Sequence, residues 1–534
     1  MRLAKAIPSN KDTAIKNLNL IFERTALMFA RLLRIATAVG LVLATRAWAQ
    51  LDFGPYVQNT DDKKATVIWY TKTSEAGVLR YGKQAGQWEG TIEGGTGTVH
   101  RAAITGLAAN TKYFYEVAAG AKVYATGAQY YFRTHPRPGA RTPFRFMAFG
   151  DFGDGSAAQK ATAAQLLKDD DKHSFALLLG DIIYSNGERA NYLRDYFPVY
   201  KDIIRHRAWW PTLGNHDIKE KKGAAYFEFF ETPANNPGAL ENYYSFDYAN
   251  AHIVSLDDEL LFDGADLQKQ MDWVKQDLQA AKARGQRWLI AMWHKPPYSE
   301  GTHSDDDEIQ ANFLPTLEAE GIDLILNGHS HVAERSYLLA NHAIINNSLS
   351  NYPKKGFEAG AVYVVSGAGG KTGGVSKHKL MSFQLGDVSG YESIYINGDT
   401  LRGSWIKNSG QSMDQFTMIK TGSGQTDVQI TDSEAAPENF AVHYPNPYRL
   451  GNGANAPLHL AFELTNPAAV SATIYDVLGR TVATLGDGQL FSSGRHVLQW
   501  NGRDAAGALA ATGVYFYRIQ AGARVHTAKL MIVQ

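Results

Sequence analysis

The chain contains no cysteine in 534 residues. Disulfides, thiolate metal sites and cysteine nucleophiles are therefore excluded together. It also lacks a charge excess of either sign, with Lys plus Arg and Asp plus Glu at 53 each. No overall field favours nucleic acid or an anionic membrane, so any attraction for anions is local. A third lack is a long apolar run. The stretch Ile35 to Ala44 is well short of the ~18 to 20 apolar residues that a bilayer span needs. Arg31 and Arg34 precede it, and Ala47-Trp48-Ala49 follows as a small-x-small cleavage site before Gln50. Residues 1–49 thus read as an amino-terminal extension and secretory signal peptide, with Met28 the expected start and no transmembrane span in the mature chain.

At a prior of about 100 to 200 residues per domain, the length suggests three folded units. From Phe53 to about Thr134, short alternating β-rich runs such as Ala65 to Tyr70 and Lys112 to Val117 are separated by Gly, Asn and Thr turns. That pattern predicts an antiparallel β-sandwich. His135-Pro136-Arg137-Pro138-Gly139 reads as a hinge. Beyond it, strand runs alternate with helical stretches, Ala157 to Leu167, Arg189 to Ile204, Ala265 to Ala283 and Glu308 to Glu320, which argues an α/β layered domain. That domain is expected to close with a hairpin turning at Asn397-Gly398-Asp399. Residues 421–438 are polar and read as a linker. A second all-β unit fills 439–534.

The chemistry lies in five clusters: Gly150-Asp151-Phe152-Gly153, Gly180-Asp181-Ile182-Ile183-Tyr184, Gly214-Asn215-His216-Asp217, Ala291-Met292-Trp293-His294 and Gly328-His329-Ser330-His331. Most follow a short apolar run that reads as a strand, so they fall at strand ends, where ligands of layered α/β domains bind. Any one cluster is an ordinary polar loop; five in succession are a constellation. Carboxylate, imidazole and amide donors without sulfur suit Fe, Mn and Zn. Asp151, Asp181, Asn215, His294, His329 and His331 are too many ligands for one tetrahedral ion. A pair of ions is the economical reading, with a carboxylate such as Asp181 bridging. Such a pair polarises a phosphoryl group while hydroxide attacks in line. Asp217 either orients His216 or is a plain turn carboxylate, and the acidic run Asp305 to Glu308 reads as a solvated helix start.

In order and spacing the five clusters resemble the blocks of calcineurin-like metallophosphoesterases, and Tyr184 places the resemblance among the purple acid phosphatases. The resemblance implies a central α/β/β/α sandwich over residues 139–420. Residues 50–138 would be the family's amino-terminal, fibronectin type III-like domain, and Leu107 to Tyr113 looks like a fibronectin tyrosine corner. By the same resemblance Asp151, Tyr184 and His331 hold Fe(III), Asn215, His294 and His329 hold a divalent ion (Fe, Zn or Mn), and Asp181 bridges. A Tyr184 phenolate favours Fe(III), and its charge transfer gives the family its colour. His216 is implied to bind phosphate or to protonate the leaving alcohol, and His303 is either a further substrate-side histidine or a solvated loop residue.

In the carboxy-terminal unit, Tyr444-Pro445-Asn446-Pro447-Tyr448, Ile474 to Arg480, Trp500 to Asp504 and Gly513 to Arg518 resemble the sorting domain of the bacterial type IX secretion system. The other reading is an adhesive or carbohydrate-binding sandwich. The expectation is a multidomain enzyme, secreted or held at the outer surface by the type IX machinery, that hydrolyses small phosphate monoesters. The alternatives are a phosphodiesterase or nucleotidase on the same two metals, and a surface adhesin with an inactive central domain. Extended nucleic acid is not an expected partner, because no basic, aromatic-interleaved stripe is present.

Overall fold

The computed structural model describes residues 51–421 apart from 120, 121 and 263, and 441–533 apart from 445–447, 450–456, 465, 466, 478, 493, 522 and 523. The expected signal peptide and, beyond Thr421, the expected linker lie outside the described residues. The chain divides into two units near residue 431.

In the first unit the amino-terminal strands form one hydrogen-bonded sheet of six. Separate sheets do not arise, because Ala65–Gly82 runs for 18 residues and serves two sets of partners. Its first half pairs with Leu51–Gln58 and its second half with Lys112–Ala119. The Tyr113 hydroxyl accepts a hydrogen bond from the Ala108 amide at 3.0 Å, fixing the preceding turn.

The central domain is built on two seven-stranded sheets. In one, Phe144–Phe149, Phe175–Leu179 and Trp209–Thr212 run parallel. In the other, Ala251–Ser255, Trp288–Met292, Leu324–Asn327 and Val362–Ser366 run parallel. Strand residues alternate between faces, and both faces are covered. Phe144, Phe146 and Ala148 share a core cluster with Ile290, Met292, Leu324 and Leu326 of the other sheet. Their neighbours Met147 and Phe149 turn outward to Leu166 and Tyr200 on the helices Ala157–Lys168 and Phe197–Ile204. Ala291 and Ile325 pack outward on Val274, Leu278 and Leu317. Parallel pairing brings the carboxyl ends of these strands side by side. The expected hairpin forms from Gly390–Asn397 and Thr400–Lys407.

Two elements differ from expectation. The stretch Glu308 to Glu320 is two short helices, Asp307–Asn312 and Leu314–Ala319, because Pro315 cannot donate to a continuing helix. The segment read as a hinge is a packed joint. His135 is 2 % exposed. Its Nδ1 donates to the Asp247 carbonyl at 2.9 Å and its Nε2 accepts from the Thr60 hydroxyl at 2.8 Å. Aromatic contacts extend the joint: Phe53 stacks on Tyr70 at 3.9 Å and meets Phe197 at 4.5 Å.

The second unit pairs a three-stranded and a five-stranded sheet around a shared core of Leu460, Phe462, Ile474, Tyr517 and Ile532. Two of its motifs have structural jobs. The Asp476 carboxylate accepts from the Arg480 amide and guanidinium, and the Trp500 indole donates to the Arg503 carbonyl at 2.7 Å.

Burial pushes the His135 pKa down to about 4, against about 6.5 unfolded. The unfolded chain therefore binds the extra proton between these values, and stability from neutral His135 is complete above pH 6.5 and lost as pH falls toward 4. Melting of wild type and a His135→Gln variant from pH 7 to 4.5 tests this. The variant's deficit shrinks on acidification by up to about 3 kcal/mol; a deficit independent of pH would contradict the assignment.

Candidate metal centre

The five clusters meet at the joined carboxyl edges of the two sheets. Glycine precedes four of them for steric reasons. A Cβ on Gly180, whose φ is +78°, would lie 2.4 Å from Nδ1 of His294, and one on Gly328 would lie 2.4 Å from the Leu179 carbonyl. The residues that follow carry strain. Asp151, Asp181 and His329 have φ of 59°, 48° and 64°, in the left-handed region that non-glycine residues rarely occupy.

Three donor atoms form one group. His294 Nε2 lies 3.1 Å from Asn215 Oδ1 and 3.2 Å from His329 Nδ1, which is itself 3.1 Å from Asn215 Oδ1. Nδ1 of His294 is 2.8 Å from the Leu179 carbonyl, so it carries a proton and donates. Nε2 then presents a lone pair to the amide oxygen, an arrangement that is repulsive unless a proton or a cation lies between them. A second group consists of Tyr184, Asp151 and His331. The Tyr184 hydroxyl is 3.0 Å from Asp151 Oδ1 and 3.4 Å from His331 Nε2, with Asp151 Oδ1 and His331 Nε2 3.5 Å apart. Asp181 joins the two groups, with Oδ1 3.4 Å from His294 Nε2. One donor atom each from Asp151, Asp181 and His294 lies within 4.8 Å of the others.

This donor set fits metal. Three donors at the corners of a triangle 3.1 to 3.2 Å on a side suit a cation about 2.2 Å from each at right angles, close to the ~2.0–2.2 Å of such bonds. The electrostatics agree. Burial works against charge on His294, but Asp181, Asp151 and Asp258 outweigh it and hold its pKa well above the ordinary value. Burial, then the imidazoles of His294 and His303, pushes His329 down to about 2, leaving it a neutral donor. Burial and the Asp151 and Asp181 carboxylates raise the Tyr184 phenol well above its usual range. Without a cation this oxygen keeps its proton.

His216 and His303 border the same centre. The His216 ring packs on Tyr184 at 4.5 Å, with Nδ1 on the Ser185 carbonyl and Nε2 3.9 Å from Asp181 Oδ2. His303 is exposed, and its ring stacks on His329 at 3.9 Å. The seven residues expected to hold metal, with His216 and His303, are thus brought together here. The acidic run is a helix start, with Asp306 capping the Ile309 amide.

The roles of three residues were not read from the sequence. Asp217 does not touch His216 and is not a plain turn residue. It is fully buried, and its carboxylate accepts from the amides of Ile182, Ile183 and Gly214 at 3.0 to 3.1 Å. It thereby locks the Asp181 loop to the Asn215 loop; burial and the Asp181 charge raise its pKa to about 7. Lys371 Nζ lies 4.8 Å from the Tyr184 ring, and Lys219 Nζ is 3.0 Å from a His216 ring nitrogen. Only the fold brings these two cations to the rim; in sequence they are unremarkable lysines.

Asp217→Ala leaves three buried amides without an acceptor and frees both loops. Metal affinity, measured by equilibrium dialysis, is expected to fall about 10- to 100-fold, and Asp217→Asn, which keeps one oxygen, to lose less. Unchanged affinity in the alanine variant would contradict the locking role.

Comparison with known proteins adds independent evidence. The family model for the calcineurin-like phosphoesterase matches residues 144–333, the model for the purple acid phosphatase N-terminal domain matches 54–134, and the FlgD Ig-like domain matches 448–524. Purple acid phosphatase 18 of Arabidopsis thaliana is 27% identical over 346 residues, spanning 60% of this chain and 72% of that protein. The phosphoenolpyruvate phosphatase of Allium cepa is 24% identical over 348 residues, spanning 60% of this chain and 70% of its own length. Among solved structures, a purple acid phosphatase from yellow lupin (Lupinus luteus) seeds superposes with a TM-score of 0.62 at 19% identity, over 70% of this chain and 77% of that one, which shows a shared fold. The chain therefore carries a purple acid phosphatase N-terminal domain ahead of a calcineurin-like phosphoesterase domain, and as an enzyme it is an acid phosphatase-like metallophosphoesterase, a phosphoric monoester hydrolase.

Proposed function

We propose that the protein is an exported phosphatase acting on small phosphate monoesters through a two-metal centre. The observation that carries this reading is the pair of three-donor groups joined by Asp181. Asp151, Tyr184 and His331 would hold Fe(III), Asn215, His294 and His329 a divalent Fe, Zn or Mn, and Asp181 both. When bound, such a pair supplies positive charge to the phosphoryl oxygens and an activated water nucleophile.

The protein's own groups do the rest. Asp181 is fixed by the His216 amide, which donates to its Oδ1 at 2.8 Å. The His294 ring is aimed by the Leu179 carbonyl. His216 keeps its Nδ1 on the Ser185 carbonyl, and its Nε2, 3.1 Å from Lys219 Nζ, would meet a phosphate oxygen or the departing alcohol. His303, stacked over His329, is placed to meet the ester from the other side. Lys219 and Lys371 add charge at the rim, which favours approach of a phosphate dianion.

Export is part of the same reading: the Arg-flanked apolar run and its cleavage site support a signal peptide, and the carboxy-terminal motifs support type IX sorting. The FlgD Ig-like match supports an Ig-like unit there, without a route. A chain truncated before residue 439 is expected to stay in the periplasm of a type IX-competent host; its arrival in the medium would refute sorting by this unit.

Assay of 4-nitrophenyl phosphate beside bis(4-nitrophenyl) phosphate tests the substrate class. The monoester is expected to be preferred in kcat/KM, and His216→Ala to lower kcat about 10²- to 10³-fold. Preference for the diester would replace this reading with the phosphodiesterase.

A further inference from the structure

A cavity of ≈ 350 Å³ lies at the seam between the amino-terminal sheet and the central domain. It sits beside Ser174 and Phe175, at the amino end of the strand whose carboxyl end leads to Asp181. The cavity is therefore at the opposite edge of the sheet from the metal centre. Four cationic residues line it, Lys112, Arg133, Lys172 and Arg207, against two carboxylates, Asp170 and Asp171. Two of the three histidines in the wall add no charge: burial holds His135 and His173 at about 4, so both are neutral near pH 7.

The cations differ in what they already hold. Arg207 gives Nε to the Asp170 carboxylate and Nη2 to the Asp170 carbonyl at 2.7 Å each, which leaves its Nη1 without a partner among the described residues; His206 gives Nε2 to the same carboxylate at 2.7 Å, and Lys172 is paired with Asp169 at 2.5 Å. Among the described residues no carboxylate pairs with Lys112 or Arg133. Arg133 donates only to the neutral oxygens of Asn110, at 2.8 and 3.4 Å. Lys112 Nζ rests 3.7 Å from the centre of the Tyr131 ring. The other face of this wall is His206, whose ring stacks on Tyr131 at 4.8 Å and whose Nδ1 is buried without a hydrogen-bond partner. Burial, then the guanidiniums of Arg133 and Arg207, lowers the Lys112 pKa. Like charges held together in a half-enclosed cavity carry a cost that an anion would relieve.

We infer that this seam cavity is a second anion site, in which Lys112, Arg133 and Arg207 hold a phosphate-class oxyanion, free or as the charged end of a small phosphorylated molecule. The ligand would bind both domains at once, since Lys112 and Arg133 belong to the amino-terminal sheet and Arg207 to the central domain. Its geometry owes nothing to metal.

Isothermal titration of the holoenzyme with inorganic phosphate is the test, with a non-hydrolysable hexose phosphonate as a second probe. Two sites per chain are expected, one of them matching the competitive inhibition constant of phosphate. Lys112→Gln with Arg133→Gln should weaken the other site at least roughly tenfold and leave both turnover and that inhibition constant unchanged. Lys112→Arg, which keeps the charge, should retain it. Tighter binding of the phosphonate would assign the site to the larger ligand, and equal or weaker binding to the free anion. A single phosphate site in wild type, or a second site that survives the double substitution, would overturn the inference. Loss of the inhibitory site on metal removal, with the seam site intact, separates failure of the metal reading from failure of this one.

Discussion

His294 Nε2 and Asn215 Oδ1 face each other across 3.1 Å, an approach that only a proton or a cation between them makes favourable, within reach of a carboxylate that belongs to both halves of the centre. Buried acceptors without a donor between them are costly, and a protein keeps such a group when something positive completes it. In the second half the Tyr184 hydroxyl donates to Asp151 Oδ1 at 3.0 Å, and a cation would take the place of that proton. Protonation relieves part of the conflict, and the raised pKa of His294 is that relief in the metal-free chain. A cation relieves all of it. The centre is thus defined by what its residues cannot do alone.

The rest of the molecule serves to hold these acceptors against their repulsion. Of the candidate ligands, Asp151, Asp181 and His329 sit at positive φ, a strain that persists only where the surroundings over-determine it. Here the surroundings are two sheets that hydrogen-bond at their carboxyl edges, through Gly150 N to Ser366 O at 2.9 Å and through His294 Nδ1 to Leu179 O. Asp217 adds a third tie by collecting amides from two loops. The amino-terminal sheet, fixed by His135 and the Phe53 aromatic cluster, packs on the helix that carries Phe197, in the same core cluster as Ile182 and Ile183, the two residues before Tyr184.

Much of this was legible in the sequence because buried parallel strands leave a plain signal. Phe175 to Leu179 is apolar throughout and Phe144 to Phe149 is apolar but for Arg145, since both faces are covered, and each run ends at a glycine followed by a polar residue. That glycine is a record of crowding: at Gly180 and Gly328 a side chain would collide with the opposite sheet. Lys219, Lys371 and the three-amide grip of Asp217 were not legible. A carboxylate after Gly-Asn-His says nothing about which backbone it will find, Lys219 is three residues from His216 but nothing in the sequence turns it back onto that ring, and Lys371 acquires meaning only from Tyr184, distant in sequence. The supposed hinge failed for a related reason. Two prolines signal a turn of the chain, but whether the turn is loose depends on what His135 meets, here Thr60 and Asp247.

The most direct measurement is metal analysis with a visible absorption spectrum, on protein produced from Gln50 and purified without chelator. The account predicts two metals per chain, one of them iron, with a broad visible band that disappears in a Tyr184→Phe variant. Two divalent ions with no band, or a single ion per chain, would contradict a ferric site completed by the Tyr184 oxygen.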